Sequence, residues 1–377
     1  MKEKAAPRSL AKHRAEVLAR LRPGRPAFRN ELARETGLSP ATVSRIARSL
    51  LRGRVLREVA APLRGVGRPV RGLEINGDAG WVLGLSALYP AVRAVALNLR
   101  GDILREESTP YHPSSGAAGL LKLLRSTASA ASRKAKRFLG VGLALPGEWS
   151  RDEGVSIRYP RVPDWKDVPL RKLLQEWTGG PATLIGYAPA LAVAEQARGG
   201  RAEPRNLLCA EVAENIALGV IANGAVLEGA SGNAGELGHI VMDPKGPRCY
   251  CGNRGCLESY GTGSAAVEES GAPSFEALAR RAKDKDEGAL RVLGRVGRAL
   301  GAGLANALNL FNPELLVLNG RFFDAGELVL EPLRDALKEH AIPSSLRGLR
   351  IERSALGGSA PALGAGLAAI REALVRL

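Results

Sequence analysis

The sequence predicts an α/β protein with a small N-terminal head of three helices and two strands. A longer body follows, in which strands and helices alternate. Three observations carry this. The first is the placement of charge. The net charge is +16 over 377 residues, and residues 1–75 alone hold 18 Lys/Arg against 6 Asp/Glu. The second is the order strand, strand, strand, helix, strand, which occurs twice after residue 76 and marks mixed sheets covered by helices. The third is a His/Cys cluster, H-x9-C-x-C-x4-C, over 239–256. Composition agrees: 45% hydrophobic residues suffice for a core, and 45 Gly plus 23 Pro stay below the low-complexity range. The length suggests two or three domains. No apolar run reaches the roughly 18 residues of a membrane span. The opening MKEKAAPRSLAKHR has no apolar signal segment. The chain is therefore expected to be cytoplasmic, with no membrane partner.

In the head, Leu10, Val17, Leu18 and Leu21 recur at helical spacing, which predicts a helix over 10–22 ended by Pro23-Gly24. A second helix is expected at about 28–36, with Leu32 and Ala33 inward. Gly37-Leu38-Ser39 forms a tight turn, Ser39 is a good N-cap, and Pro40 suits the first helical position. The third helix runs over 40–52 to Gly53 and buries Val43, Ile46, Ala47 and Leu50. This is the helix-turn-helix layout, whose second helix enters the major groove by its N-terminal residues. Thr42, Ser44 and Arg45 are expected at base edges, with Arg48 and Arg52 on phosphate. Arg29 is grouped with these DNA-facing residues.

Strands Val55–Ala60 and Val70–Ile75 flank APLRGVGRP, a wing whose Arg64 and Arg68 either reach DNA or belong to a plain linker. A positive field concentrated in so short a segment points to nucleic acid. The alternatives are Arg enrichment from a GC-rich genome and an ordinary three-helix bundle.

In the body, 81–109 reads as a three-strand meander turning at Gly101-Asp102, followed by a helix over 117–137 and the strand Phe138–Leu145. A loop leads to a strand at Ala182–Ile185 and a helix at Ala188–Arg198. Strands Leu207–Val212 and Ile216–Ile221, a helix over 287–309, the strand Leu315–Leu318 and a helix over 361–375 complete the pattern. His239, Cys249, Cys251 and Cys256 match a closed tetrahedral zinc site, with Gly246, Gly252 and Gly255 letting the loop wrap a structural ion. Free thiols or a disulfide are the alternatives, although adjacent C-x-C pairs poorly with itself. Cys209 lies in an apolar strand and reads as core.

The sequence resembles the repressor–ORF–kinase (ROK) family over nearly its whole length. GRPVRGLEIN (67–76) is similar to the junction between winged helix and body in ROK repressors. The Gly-His pair at 238–239 with CYCGNRGCLE (249–258) resembles the family's zinc signature. VGLALPGEWSRDEG (141–154), PDWKDVPLRKLL (163–174), GASGNAGELGH (229–239) and NPELLVLNG (312–320) are similar to family blocks in the same order. The resemblance implies a two-lobed actin/hexokinase-like (ribonuclease H-like) sugar-kinase body behind a winged helix-turn-helix. The expected domains are 1–75 for the DNA-binding head, 76–190 for a first lobe completed by 360–377, and 191–359 for a second lobe carrying the zinc loop 239–256.

The resemblance also sets out what is missing. ROK kinases carry an Asp-x-Gly-Gly-Thr turn where this chain has Ser86, Ala87, Leu88, Tyr89 and Pro90. Their second glycine-rich turn matches AENIALG (213–219), where Gly219 alone survives. Their Glu-Asn-Asp-Ala-Asn matches Ile185 to Pro189, so Tyr187 stands in the catalytic Asp position, and a phenol is a poor base at neutral pH. Phosphoryl transfer needs all three parts, so no kinase activity is expected.

Of the residues that bind sugar in the family, Glu236, His239 and Glu258 are matched, while an expected Asn appears as Arg161. These four are the candidate effector contacts. Alternatively, Glu236 and Glu258 support the zinc loop. The effector is a changed sugar, a sugar phosphate or another anion, or there is none.

The expected function is DNA-binding transcriptional regulation, as a repressor of sugar-related genes. The expected partners are a double-stranded DNA operator, a sugar or sugar-phosphate effector, and further copies of the chain in a homodimer or homotetramer. A regulator answering to a protein partner and a bifunctional sugar kinase are the competing readings.

Overall fold

A computed structural model describes residues 7–18, 20–21, 26–60, 71–132, 137–198, 204–213 and 215–377. The expected wing loop with Arg64 and Arg68 lies outside the described residues. The chain forms two compact units: residues up to Ile185 together with Pro361–Leu377, and Gly186–Ala360. No helix among the described residues is long and apolar enough to cross a membrane.

The head contains α1 (Pro7–Leu18), α2 (Arg29–Thr36), α3 (Pro40–Arg52), β1 (Leu56–Ala60) and β2 (Arg71–Ile75). Helix α1 stops at Leu18 rather than continuing to 22. Arg20 and Leu21 turn back to donate to the Val17 and Leu18 carbonyls at 3.2 and 3.1 Å. Leu21 stays buried all the same. Gly37 ends α2 in the left-handed conformation (φ 68°) that a residue without Cβ adopts cheaply. Ser39 Oγ then accepts from the Thr42 amide at 3.2 Å, and Pro40 starts α3. Val43, Ile46, Ala47 and Leu50 form the buried stripe of α3. Strands β1 and β2 pair antiparallel from Leu56↔Ile75 to Ala60↔Arg71. Ala27 adds a bridge to Leu73, with N–H to O distances of 2.9 and 2.8 Å. A one-residue strand has no period, so sequence pattern does not reveal it.

The rest of the first unit is built on β3 (Trp81–Leu88), β4 (Ala91–Asn98), β5 (Ile103–Pro110), α4 (Gly116–Ala131), β6 (Phe138–Leu145), β7 (Glu148–Ser150), β8 (Val155–Arg158), β9 (Lys166–Val168), α5 (Leu170–Thr178) and β10 (Ala182–Gly186). One sheet runs β10-β6-β3-β4-β5, with β3 parallel to β6 and antiparallel to β4. Helix α4 ends before 137 because the Ser132 hydroxyl donates to the Ala128 carbonyl at 2.7 Å, competing with the helix ladder. The stretch expected as a loop after Leu145 holds a second sheet, β7-β8-β9, and α5. Its strands are too short for a period to register, and Trp149, Tyr159 and Trp165 bury it against the main core.

The second unit contains α6 (Tyr187–Arg198), β11 (Leu207–Val212), β12 (Ile216–Ala222), β13 (Ala225–Val226), α7 (Gly263–Ser270), α8 (Phe275–Lys283), α9 (Glu287–Phe311), β14 (Leu315–Asn319), α10 (Glu327–His340), α11 (Pro343–Leu346) and β15 (Arg350–Arg353). Its sheet runs β13-β12-β11-β14-β15, with β11 parallel to β14 and antiparallel to β12. That is the strand order of the first sheet again: a three-strand meander on one side and parallel strands on the other.

The last helix, α12 (Ala360–Arg376), returns to the first unit. It lies so close to the sheet that a Cβ on Gly84 would sit 2.0 Å from the Ala362 carbonyl oxygen, and one on Gly142 1.9 Å from that of Ala365.

Candidate functional site

Two places in the chain collect chemistry-bearing side chains. On the head, the buried stripe of α3 turns Arg45, Arg48 and Arg52 outward, and all three are exposed. Thr42 and Ser44 are half-buried. The Thr42 hydroxyl lies 2.9 Å from Ser39 Oγ, so it helps to cap the helix that carries it. Arg48 folds back to donate from Nε to the Ser44 carbonyl at 3.3 Å. Arg29, at the start of α2, donates to Glu58 on β1 at 2.8 Å, and Arg71 meets the same carboxylate at 3.3 Å. The Arg29 hydrogen bond holds the Glu58 carboxyl below the usual carboxylate range. In this arrangement Arg29 ties the first helix of the motif to the wing strand.

In the second unit, His239, Cys249, Cys251 and Cys256 come together with their ligand atoms all within 4.8 Å of one another. His239 Nδ1 lies 3.8 Å from Cys249 Sγ, and Cys251 Sγ 3.6 Å from Cys256 Sγ. A tetrahedron with metal–sulfur bonds of about 2.3 Å has edges of roughly 3.8 Å, so four such donors fit one tetrahedral cation. Burial pushes the Cys256 thiol up to about 12, while the Asn253 backbone amide, the main influence on Cys251, lowers that one. Cysteine binds metal as thiolate, so a cation is what would strip the proton from Cys256 at neutral pH.

The loop is shaped by close backbone approaches. Gly255 has φ +69°, and a Cβ there would lie 1.6 Å from the Asp243 carbonyl oxygen. Leu257, next to Cys256, anchors the loop over Gly303 of α9, where a Cβ would meet Leu257 Cδ2 at 2.3 Å.

Beside this cluster, Glu258 is engaged: its Oε2 accepts from the Ile216 amide at 3.0 Å and its Oε1 from Asn215 Nδ2 at 3.2 Å. Glu236 Oε2 stands 4.0 Å from His239 Nε2. Arg161 belongs to the first unit, exposed in the turn between β8 and β9. Asn215 and Tyr250 also take part in the polar network, and the site residues expected from sequence did not include them. Their signal was modest: Tyr250 sits between two metal-loop cysteines, and Asn215 lies inside the altered glycine turn.

The segments that resemble phosphate-binding loops carry side chains in place of most of their glycines. Strand β3 runs on through Ser86 and Ala87, both buried, and pairs with β4 as far as Leu88↔Ala91. The Tyr159 hydroxyl donates to the Ala87 carbonyl at 3.4 Å. Strands β11 and β12 pair up to Val212↔Ile216, and Asn215 immediately precedes β12. Gly219 serves packing: a Cβ there would lie 2.1 Å from the Ala188 carbonyl oxygen of α6.

A winged-helix head on a two-lobed actin/hexokinase-like body with a Cys/His loop defines a class of regulators built on a sugar-kinase fold. The chain belongs to the ROK family, whose model matches residues 90–372. It is 28% identical over 348 residues to the xylose repressor of Bacillus spizizenii, across 90% of each chain. The solved structure of a ROK family transcriptional regulator, a homologue of the Escherichia coli MLC protein, aligns with a TM-score of 0.79. That match is 26% identical and covers 97% of both chains. The ROK hexokinase of Thermus thermophilus aligns with a TM-score of 0.66 at 31% identity, covering 76% of this chain and 97% of its own.

Proposed function

We propose that this protein is a DNA-binding transcriptional repressor of sugar-related genes whose body senses a sugar or sugar phosphate and performs no phosphoryl transfer. The observation that carries this is where the similarities stop. The transcriptional regulator matches 97% of the chain and the xylose repressor 90%, whereas the hexokinase covers only 76%. The regulators therefore extend into residues that the kinase leaves unmatched.

In this reading Thr42, Ser44 and Arg45 contact base edges, and Arg48 and Arg52 contact phosphate. Arg29, held by its pair with Glu58, is a further DNA contact. His239, Cys249, Cys251 and Cys256 hold one structural zinc ion, the preferred occupant of a three-thiolate, one-imidazole tetrahedron. Glu236, His239 and Glu258 supply effector contacts in the second unit, and Arg161 is a separate candidate contact in the first. Two copies of the head on a two-fold operator make the active form a homodimer or a homotetramer. The side chains that replace all but one of the kinase glycines at 86–90 and 213–219 support the absence of kinase activity, because phosphate needs bare backbone N–H groups to approach.

The test is binding of the purified protein to its own upstream DNA, with and without a panel of sugars and sugar phosphates, at one salt concentration because phosphate contacts make affinity salt-dependent. Specific binding shifted severalfold by one compound is the expected result. Specific binding that no compound shifts removes the sugar-sensing part and favours a protein partner. A coupled ATP-consumption assay on the same panel is expected to be blank, and sugar-dependent turnover would overturn the non-enzymatic reading.

A further inference from the structure

Tyr250 stands between Cys249 and Cys251, and the residue is 59% exposed. Its hydroxyl lies 3.2 Å from His239 Nε2 and 3.2 Å from Asn215 Nδ2. The same amide nitrogen is 3.2 Å from Glu258 Oε1. Ring and imidazole meet edge to face at 5.4 Å. With His239 Nδ1 turned to the thiols as a metal ligand, Nε2 carries the proton and donates to the phenol oxygen. Asn215 donates to it as well. The phenol thus takes the hydrogen bonds that an alcohol oxygen of a bound polyol would take.

We propose that Tyr250 is a displaceable plug in the effector subsite, its hydroxyl standing where a ligand hydroxyl must go, so that a sugar binds by swinging the ring into solvent. This rests on the reading of Glu236, His239 and Glu258 as effector contacts. A sugar entering here exchanges hydrogen bonds instead of gaining them. Two neutral bonds already made inside the protein weaken its affinity by on the order of tenfold. The plug sets a threshold: the protein answers to sugar only at concentrations well above those an open subsite would sense.

The test is calorimetric titration of the metal-loaded full chain with D-xylose, D-glucose and N-acetyl-D-glucosamine, comparing the unsubstituted protein with Tyr250→Ala and Tyr250→Phe. Tyr250→Ala is expected to bind at least one of these on the order of tenfold more tightly, and Tyr250→Phe severalfold, at unchanged metal content. No gain in either variant, or a loss, would overturn the plug, a loss meaning that the ring is itself a sugar contact. Tyr250→Phe keeps the ring, so it guards against a misfolded Tyr250→Ala. Nitrogen NMR of the histidines, only 4 in the chain, gives a readout without any sugar. Removing the hydroxyl alone should move the His239 Nε2 resonance, and an unmoved resonance rejects the contact. Operator binding measured in parallel separates the two readings. Tighter sugar binding without a change in operator affinity sinks the effector reading and keeps the plug. A sugar-responsive operator with no gain in the variants does the reverse.

Discussion

The metal loop over 239–256 and the turn between β11 and β12 share one compact unit, and their glycines answer to different demands. In the loop, Gly246 and Gly255 leave room for Tyr260 Oη and the Asp243 carbonyl, where Cβ atoms would lie at 1.9 and 1.6 Å. The backbone must wind that tightly to bring four ligand atoms within 4.8 Å. At the β11–β12 turn, bare backbone would serve an incoming phosphate, yet Asn215 stands there with its amide on Glu258. The glycine that remains, Gly219, faces α6. Glycine persists where the protein meets itself or winds around the four candidate metal ligands, and side chains stand where the resemblance to kinases would place a phosphate. The fold of a phosphotransferase can be kept entire while the contacts specific to its reaction are replaced one by one.

The largest effect that would sharpen this contrast is loss of the proposed zinc ion. Cys256→Ser removes a buried ligand next to the Leu257 anchor. Structural zinc commonly contributes on the order of 10 kcal/mol to folding of the segment it holds. Metal content measured by mass spectrometry should fall, and the melting temperature should drop by well over 5 °C. The head should still bind DNA nonspecifically. An unaltered melting temperature in a metal-free variant would mean that the loop stands on its own packing.

Gly219→Ala tests the other half. A Cβ 2.1 Å from a backbone oxygen and 2.7 Å from Ala192 Cβ must push α6 off β12. Overpacking of this kind costs about 1–3 kcal/mol, readable as a lowered denaturant midpoint. A neutral result would return Gly219 to the turn's ligand chemistry and break the comparison.

Next to the last residue of β11, Glu211 has Oε2 sealed from solvent and, among the described residues, no hydrogen-bond partner. Burial pushes its carboxyl from 4.5 up to about 7. The folded state therefore holds the proton more tightly than the unfolded one, and stability falls as pH rises from about 4.5 to 7 and is flat beyond. A proton affinity roughly three-hundredfold higher in the fold corresponds to about 3 kcal/mol lost once the group ionises. Glu211→Gln should recover about 2 kcal/mol at pH 8 and almost nothing at pH 4. Equal effects at both pH values would show that the carboxyl is not desolvated as its surroundings imply.

Much of this was legible beforehand for identifiable reasons. The stripe Val43, Ile46, Ala47, Leu50 has the helical period. Ser39-Pro40 marks a helix start through the chemistry of the cap. The ligands His239, Cys249, Cys251 and Cys256 sit at spacings that one loop can fold around an ion. What escaped has no period or depends on partners far along the chain. The β7-β8-β9 sheet has strands of 3 or 4 residues. Ala27 joins the wing across 46 residues of sequence. The Arg29–Glu58 pair joins α2 to β1 across 29 residues of sequence. Tyr250 and Asn215 meet only because the metal loop and the β11–β12 turn fold side by side.

The smallest expected effect is the most pointed. Asn215→Gly returns a glycine to the altered turn and removes the amide that bridges Glu258 and Tyr250. If side chains in this one turn were all that separated the body from phosphoryl transfer, the variant would begin to consume ATP in the presence of sugar. It should not, because Ser86 still replaces the carboxylate of the other kinase turn and Tyr187 still stands where the resemblance places a base. The loss should be confined to about 1 kcal/mol of stability, one partly exposed hydrogen-bond bridge plus the backbone freedom of glycine. Thermal unfolding and a coupled ATP assay on the same sample read both quantities. Turnover from this single substitution would show that the sites have diverged less than their side chains imply, and that the contrast between loop and turn rests on one residue.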